Sequence, residues 1–218
     1  MIEPAAPAPI AADAPAPGLV VYQPRRGYRW GVEVYALVDF ALRAGPFTTA
    51  ADLGTGSGVL AMLLGWTGAR VWAVDREPLW LELARRGVSE SGLDARVTVI
   101  EADIRAPLPI PCVDLVVANP PWFAPAAGPV SPDPWKAGAR AMLAGGPAEF
   151  AAAALSVAPR ACLVLRRERL RDLHDFAMTR RASLGDKVVL VELVRGPPGA
   201  TLVDEELDLE SAYRRFGR

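Results

Sequence analysis

The chain has 218 residues, enough to fill one hydrophobic core and too few for two domains of ordinary size. Its formal net charge of −1 excludes a globally basic nucleic-acid clamp and leaves only a local patch open. No apolar run reaches the roughly 18 residues of a membrane helix, and two distant cysteines (Cys112, Cys162) with one histidine (His174) support neither a disulfide framework nor a metal site, so a soluble protein of the reducing cytoplasm is expected.

Residues 1–18 are nearly all Ala and Pro, with no basic start and no apolar stretch, and they predict a disordered tail ahead of one domain over residues 19–218. Val20 and Val21 open a short strand, and Tyr22 to Gly31 is a basic aromatic loop. Val34, Leu37, Val38 and Ala41 recur at helical spacing, so a helix is expected over about 32–43, stopped by Gly45-Pro46. A strand over 48–53, a tight loop over 54–58 and a helix over 59–65 follow, then a strand over 70–75 and a helix opened by Pro78 and closed near Gly92. Strands over 96–100 and 113–118, a helix over 149–157 and a strand over 161–165 continue the alternation. A basic helix over 168–180, a strand over 187–194 and, past Pro197-Pro198-Gly199, an acidic last strand over 201–206 complete the chain. Strands separated by helical segments predict a mostly parallel sheet with helices on both faces.

The first strand ends in Asp52-Leu53-Gly54-Thr55-Gly56-Ser57-Gly58. Its spacing is G-x-G-x-G, neither the G-x-G-x-x-G of dinucleotide enzymes nor a phosphate cradle with G-K-[ST]. An acid two residues ahead of the first glycine repels a pyrophosphate and attracts an ammonium group. Asp75 ends the second strand, one βαβ step later, where a carboxylate can accept from both hydroxyls of a ribose. Asp103 follows the third strand, where an adenine edge would reach the sheet. Taken singly, each acid is an ordinary strand-end cap; as a series behind the glycine loop, they sketch a ligand with amine, ribose and adenine.

The fourth strand runs into Asn119-Pro120-Pro121-Trp122. Two prolines fix two φ angles and remove two backbone donors, leaving the Asn119 side-chain oxygen and a Pro carbonyl as acceptors beside an aromatic ring. That set suits a planar group bearing NH2.

The glycine loop, Asp75, Asp103 and the Asn-Pro-Pro-Trp tetrapeptide together resemble the class I S-adenosylmethionine-dependent methyltransferases, in the branch that methylates planar nitrogens, the "methyltransferase small" group. Gly27 to Gly31 and the helix after it are similar to the segment ahead of the glycine loop in bacterial tRNA adenine-N6 methyltransferases. The resemblance implies a Rossmann-like α/β fold with a seven-stranded, mostly parallel sheet in the order 3-2-1-4-5-7-6, strand 7 antiparallel. It implies S-adenosylmethionine as cofactor, held by Asp52, Gly54, Thr55, Gly56, Gly58, Asp75, Arg76, Asp103, Ile104 and Asn119. Catalysis would fall to Asn119, Pro120 and Trp122, with Phe123 beside them. Glu33 where Asp is expected, Gly87 in place of Asn and Arg160-Ala161 in place of Gly-Gly depart from the pattern.

An exocyclic or amide NH2 has a delocalised lone pair, so acceptors on both N–H bonds are needed to make it nucleophilic. Adenine N6 in RNA, tRNA above all, is the expected substrate, gripped by Arg25, Arg26, Tyr28, Arg29, Trp30, Trp122 and Phe123, where rings stack and guanidiniums pair with phosphates. Arg166, Arg167, Arg169, Arg171, Arg180 and Arg181 are further phosphate candidates, although interleaved acids equally suit a solvated face. Two alternatives are a protein glutamine N-methyltransferase, using the same amide chemistry, and a catalytically silent cofactor-binding subunit.

Overall fold

The computed structural model describes residues 9–25, 29–121 and 145–217. Ten strands and five α-helices are placed within them. In chain order they are β1 (Ile10–Asp13), β2 (Val21–Pro24), α1 (Glu33–Arg43), β3 (Thr49–Leu53), α2 (Val59–Trp66), β4 (Arg70–Asp75), α3 (Pro78–Glu90), β5 (Val97–Glu101) and β6 (Leu115–Ala118), followed by α4 (Pro147–Val157), β7 (Arg160–Arg166), a 3-10 segment (Arg167–Leu173), β8 (Ala177–Leu184), β9 (Val188–Val194), β10 (Val203–Glu205) and α5 (Leu209–Arg215).

Eight strands form one sheet in the order β10-β8-β9-β7-β6-β3-β4-β5. Only β9 runs antiparallel to its neighbours, β7 and β8. Side chains alternate across the pleat, so the apolar run of β6 divides between the two faces. Leu115 and Val117 join the core beneath α1 and α2, while Val116 and Ala118 face the core that holds α4. Each fully buried aliphatic side chain contributes about 1.5–3 kcal/mol, and both faces are needed to seat a buried strand.

The order 3-2-1-4-5-7-6 holds, with other elements in its last two places. The chain expected as a basic helix over 168–180 is helical only to Leu173 and then becomes β8, the sixth strand of that order. The seventh is β9, reached from β8 through the left-handed Gly185. The turn at Pro197-Pro198-Gly199 does not fold its second arm back onto β9; β10 crosses to the free edge of β8 and pairs with it in parallel, making an eighth strand. The reason is electrostatic: Arg181 of β8 holds Asp204 at 2.7 Å, and Arg180 holds Glu205. The acids of this last strand tie down the edge, and Asp208 caps α5 by accepting the Ser211 N–H at 2.9 Å.

The expectation of a disordered tail through residue 18 also fails where the chain is described. β1 pairs antiparallel with β2, and Ala16 is buried. The ribbon docks on α3: Val20 donates its N–H to Ser91 Oγ at 2.9 Å, and a Cβ on Gly87 would stand 2.8 Å from the Val20 carbonyl oxygen. Gly87 is therefore required by a close backbone approach. Arg160 has a comparable structural task, donating to the Ala44, Gly45 and Pro46 carbonyls beyond the end of α1.

Candidate active site

The carboxyl ends of β3, β4, β5 and β6 converge on a two-lobed cleft. The first lobe is lined by Gly54, Asp75, Arg76, Asp103, Ile104, Asn119 and Phe150 among others. The second is lined by Gln23, Trp30, Thr55, Ser57, Trp80 and Asn119, with Gly54 again. Gly54 and Asn119 belong to both. In an open parallel sheet this edge is where ligands bind.

The glycine loop is shaped by its left-handed residues. Gly54 has φ +72°, and a Cβ there would meet the Phe150 ring at 3.0 Å; Gly58 has φ +83° and would meet Ala84 at 3.1 Å. A side chain at either position is strained by its backbone and crowded by its neighbours. Gly58 opens α2 without a side-chain cap. Asp52 supplies the missing acceptor from the preceding strand, its Oδ2 receiving the Ala61 N–H at 3.1 Å and the Thr55 hydroxyl at 2.5 Å. Asp52 is fully buried, which raises its pKa to about 7, and its Oδ1 has no hydrogen-bond partner among the described residues.

Asp75 is braced from three sides. Oδ2 accepts the Gly56 N–H at 2.8 Å, and Oδ1 accepts those of Arg76 and Glu77 at 2.8 and 3.1 Å. Burial still outweighs these bonds and raises its pKa. Asp103 lines the same lobe under the opposite influence: Arg105 grips its carboxylate through Nε at 2.9 Å and through Nη2, holding its pKa well below the ordinary range. Arg76 stands 3.6 Å from it. Any amine reaching Asp103 must therefore share it with Arg105.

The structure thus gathers Gly54, Asp75, Arg76, Asp103, Ile104 and Asn119 around one lobe, with Thr55, Gly56 and Trp30 around the other. Pro120 is buried beside them, whereas Trp122, Phe123, Arg26 and Tyr28 lie outside the described residues. Arg25 is exposed; Arg29 is ion-paired with Asp13 at 2.8 Å. Trp30 sits edge-on to Tyr35, with ring centroids 5.9 Å apart, and lines the second lobe. Most arginines of the 3-10 segment and β8 are engaged internally, Arg167 with Ser183 and Asp186, Arg169 with Asp172, and Arg180 and Arg181 with β10, whereas Arg171 is exposed.

Phe150, Gln23 and Trp80 are lining residues that sequence reasoning did not single out. Phe150 reads as one more apolar helix position; only the left-handed Gly54 against its ring gives it a place in the site. Gln23 owes its position to the ribbon, where its amide donates to Asp13 at 2.6 Å.

The residues present fit an S-adenosylmethionine-sized ligand. A braced acid, a glycine loop kept clear of side chains and two adjoining pockets that share Gly54 and Asn119 suit an extended nucleoside with an amino-acid arm, and the unpartnered Asp52 Oδ1 is a further acceptor behind the loop.

Comparison with known proteins gives the same reading. Residues 37–131 match the methyltransferase small domain. The release factor glutamine methyltransferase of Moorella thermoacetica is 43% identical over 101 residues, which make up 45% of this chain and 36% of that protein. The tRNA1(Val) (adenine(37)-N6)-methyltransferase of Porphyromonas gingivalis is 31% identical over 141 residues, 60% of this chain and 54% of that one. The chain therefore spans about a third to a half of the length of these curated relatives. The crystal structure of TrmN from Thermus thermophilus superposes with a TM-score of 0.53 at 28% identity, over 74% of this chain and 47% of that chain. Residues 37–131 are thus similar to the methyltransferase small domain, and the described chain shares the Rossmann-like fold of the class I methyltransferases.

Proposed function

We propose that the protein is an N-methyltransferase acting on an exocyclic NH2 held at Asn119-Pro120-Pro121, with adenine N6 in RNA, tRNA in particular, as the substrate. The observation that carries the reading is the position of Asn119, at the end of β6 and on the wall shared by both lobes. A group held there lies beside any ligand that extends from one lobe to the other.

In this reading Asp75 accepts from the ribose hydroxyls, while Arg76, Asp103 and Ile104 border the adenine. Asp52, with Thr55, Gly56 and Gly58, shapes the turn that carries the amino-acid arm. The cofactor, when bound, supplies a methyl group on a positively charged sulfur. Asn119 Oδ1 and the Pro120 carbonyl accept the two N–H bonds of the incoming amine, localising its lone pair toward that methyl. Transfer of that methyl to the nitrogen would leave a neutral thioether, and the amine's surplus proton would pass to solvent. Trp122 and Phe123 would flank the planar group, and Arg25, Arg26, Tyr28, Arg29 and Trp30 would border the entrance for RNA. The likeness to the tRNA adenine-N6 enzyme, which extends over 141 residues, supports a nucleic-acid substrate.

A protein glutamine is the second reading, favoured by the 43% identity to a release factor glutamine methyltransferase and by the internal pairing of most described arginines on β8 and before it. Incubation with methyl-tritiated S-adenosylmethionine and separated RNA and protein fractions distinguishes the two. Label in small RNA, recovered as N6-methyladenosine, is the expected result. Label in protein as N5-methylglutamine would overturn the RNA assignment while keeping the amine chemistry.

A further inference from the structure

The second lobe has a chemical peculiarity. None of its described lining residues is Lys, Arg or His, although it borders the N-terminus of α2, where Asp52 accepts the Ala61 N–H. A carboxylate entering it must be met by neutral donors, on side chains or on the backbone of the first turn of that helix. Besides Trp80 and Asn119, four lining side chains can donate. The Gln23 amide is engaged by Asp13 at 2.6 Å, and the Thr55 hydroxyl by Asp52 at 2.5 Å. Ser57 adds a rotatable hydroxyl. Trp30 offers an indole N–H that is buried and has no hydrogen-bond partner among the described residues.

A buried N–H left unpaired costs about 1–3 kcal/mol, so a fold keeps one where something else satisfies it. Trp30 is moreover held in place. Tyr35 meets its ring edge-on, and the Tyr35 hydroxyl donates to the Pro15 carbonyl at 2.8 Å. Tyr35 also packs against Phe216, with ring centroids 5.6 Å apart. The N-terminal segment and the C-terminal turn thus converge to fix one indole at the lobe wall.

We infer that Trp30 is a cofactor-binding residue, its indole N–H donating to the α-carboxylate of the amino-acid arm in the second lobe. The inference rests on the proposed cofactor reading, which places the adenosine half beside Asp75 in the first lobe. It takes Trp30 out of the RNA-stacking role. The amino-acid arm would then be recognised without a cationic side chain among the described residues.

Calorimetric titration of two ligands into wild type and Trp30→Phe tests this. S-adenosylhomocysteine carries the amino-acid arm, and 5′-methylthioadenosine has the same nucleoside and sulfur without it. Phenylalanine keeps an aromatic ring against Tyr35 and removes only the N–H donor. The expected result is a loss of about tenfold or more for S-adenosylhomocysteine, in the range of a hydrogen bond to a charged group, with 5′-methylthioadenosine binding changed less than twofold. Equal weakening of both ligands would assign Trp30 to packing and overturn the inference, as would no weakening of either. If wild type bound neither ligand, the cofactor reading itself would fall.

Discussion

Two regions of the sheet carry charge, and they treat it in opposite ways. At the outer edge, β8 and β10 bring arginines and acids into mutual contact, and Asp204 and Glu205 have their pKa values lowered by Arg181 and Arg180. At the carboxyl ends of β3 and β4, Asp52 and Asp75 are withdrawn from water without a neutralising cation on Asp52, and burial raises both. Paired charges at the rim join strands. Buried acids whose ionised forms are under-compensated mark a place where another group is expected, which is why perturbed carboxyls in a cleft are site candidates. Asp114 makes the contrast sharper within a single strand. At the amino end of the sheet it accepts both the Thr48 and Thr49 N–H groups, at 2.8 and 2.9 Å, and its pKa falls to about 2. It anchors β6 to β3 and borders no part of the cleft.

The difference between the regions can be tested in order of expected effect. Asn119→Ala should lower the rate of methyl transfer by roughly 10²–10³, the scale of removing an acceptor or donor aligned with the reacting group. Single-turnover kinetics with saturating cofactor would measure this. Affinity for S-adenosylmethionine should change little, because Asn119 acts on the amine; a variant with most of its turnover intact would move the chemistry elsewhere.

Asp52 should govern the pH dependence of the free protein. Its folded pKa of about 7 lies above its ordinary 3.8, so the folded state holds a proton that the unfolded state has released. Stability should therefore fall as pH rises from about 4 to about 7 and level off above, by at most about 4 kcal/mol at 1.36 kcal/mol per unit. Asp75 adds to the same slope. Asp114 acts with the opposite sign, its contribution being lost only as pH falls from about 4 toward 2. Urea unfolding at pH 5 and pH 7.5 should show the decline in wild type and a flatter profile in Asp52→Asn.

Gly87→Ala should cost about 1–2 kcal/mol, although alanine is the better helix former, because its Cβ would lie 2.8 Å from the Val20 carbonyl oxygen. Cleavage within residues 9–20 under limited proteolysis should accelerate with it. An unchanged unfolding midpoint and unchanged cleavage would mean that the ribbon yields without loss. Arg181→Ala, at the rim, should shift the midpoint least of all, since its partner Asp204 is largely exposed and salt screens such pairs.

The strands from β3 to β7 were legible because their apolar runs are continuous and separated by Gly and Pro punctuation, as a two-faced parallel sheet requires. β8 was not, because Ala177–Leu184 carries Arg180 and Arg181 in its middle and follows residues that do turn helically. Its strand character comes from β9 on one side and the acids of β10 on the other, partners that lie outside any local window. The first strand of the ribbon was hidden for a similar reason: its Ala and Pro composition reads as a tail, and its order comes from Gln23 in β2 and from Ser91 and Gly87 far along the chain. Asp75 and Asn119 could be placed from spacing alone, since each closes a strand beside the glycine loop. Phe150 could not, because nothing in an Ala-rich helix distinguishes the position that faces Gly54.

The central claim, that ligand chemistry lives at the carboxyl edge of β3, β4 and β6 and not at the arginine-lined rim, is tested most directly by one calorimetric comparison. S-adenosylmethionine is titrated into wild type, Asp75→Ala and Arg181→Ala, each first checked for folding. Wild type and Arg181→Ala should bind alike, and Asp75→Ala should bind at least tenfold more weakly, the effect of losing about 1.4 kcal/mol or more of hydrogen bonding to a charged group. Equal affinity for all three, or a loss confined to Arg181→Ala, would contradict the account.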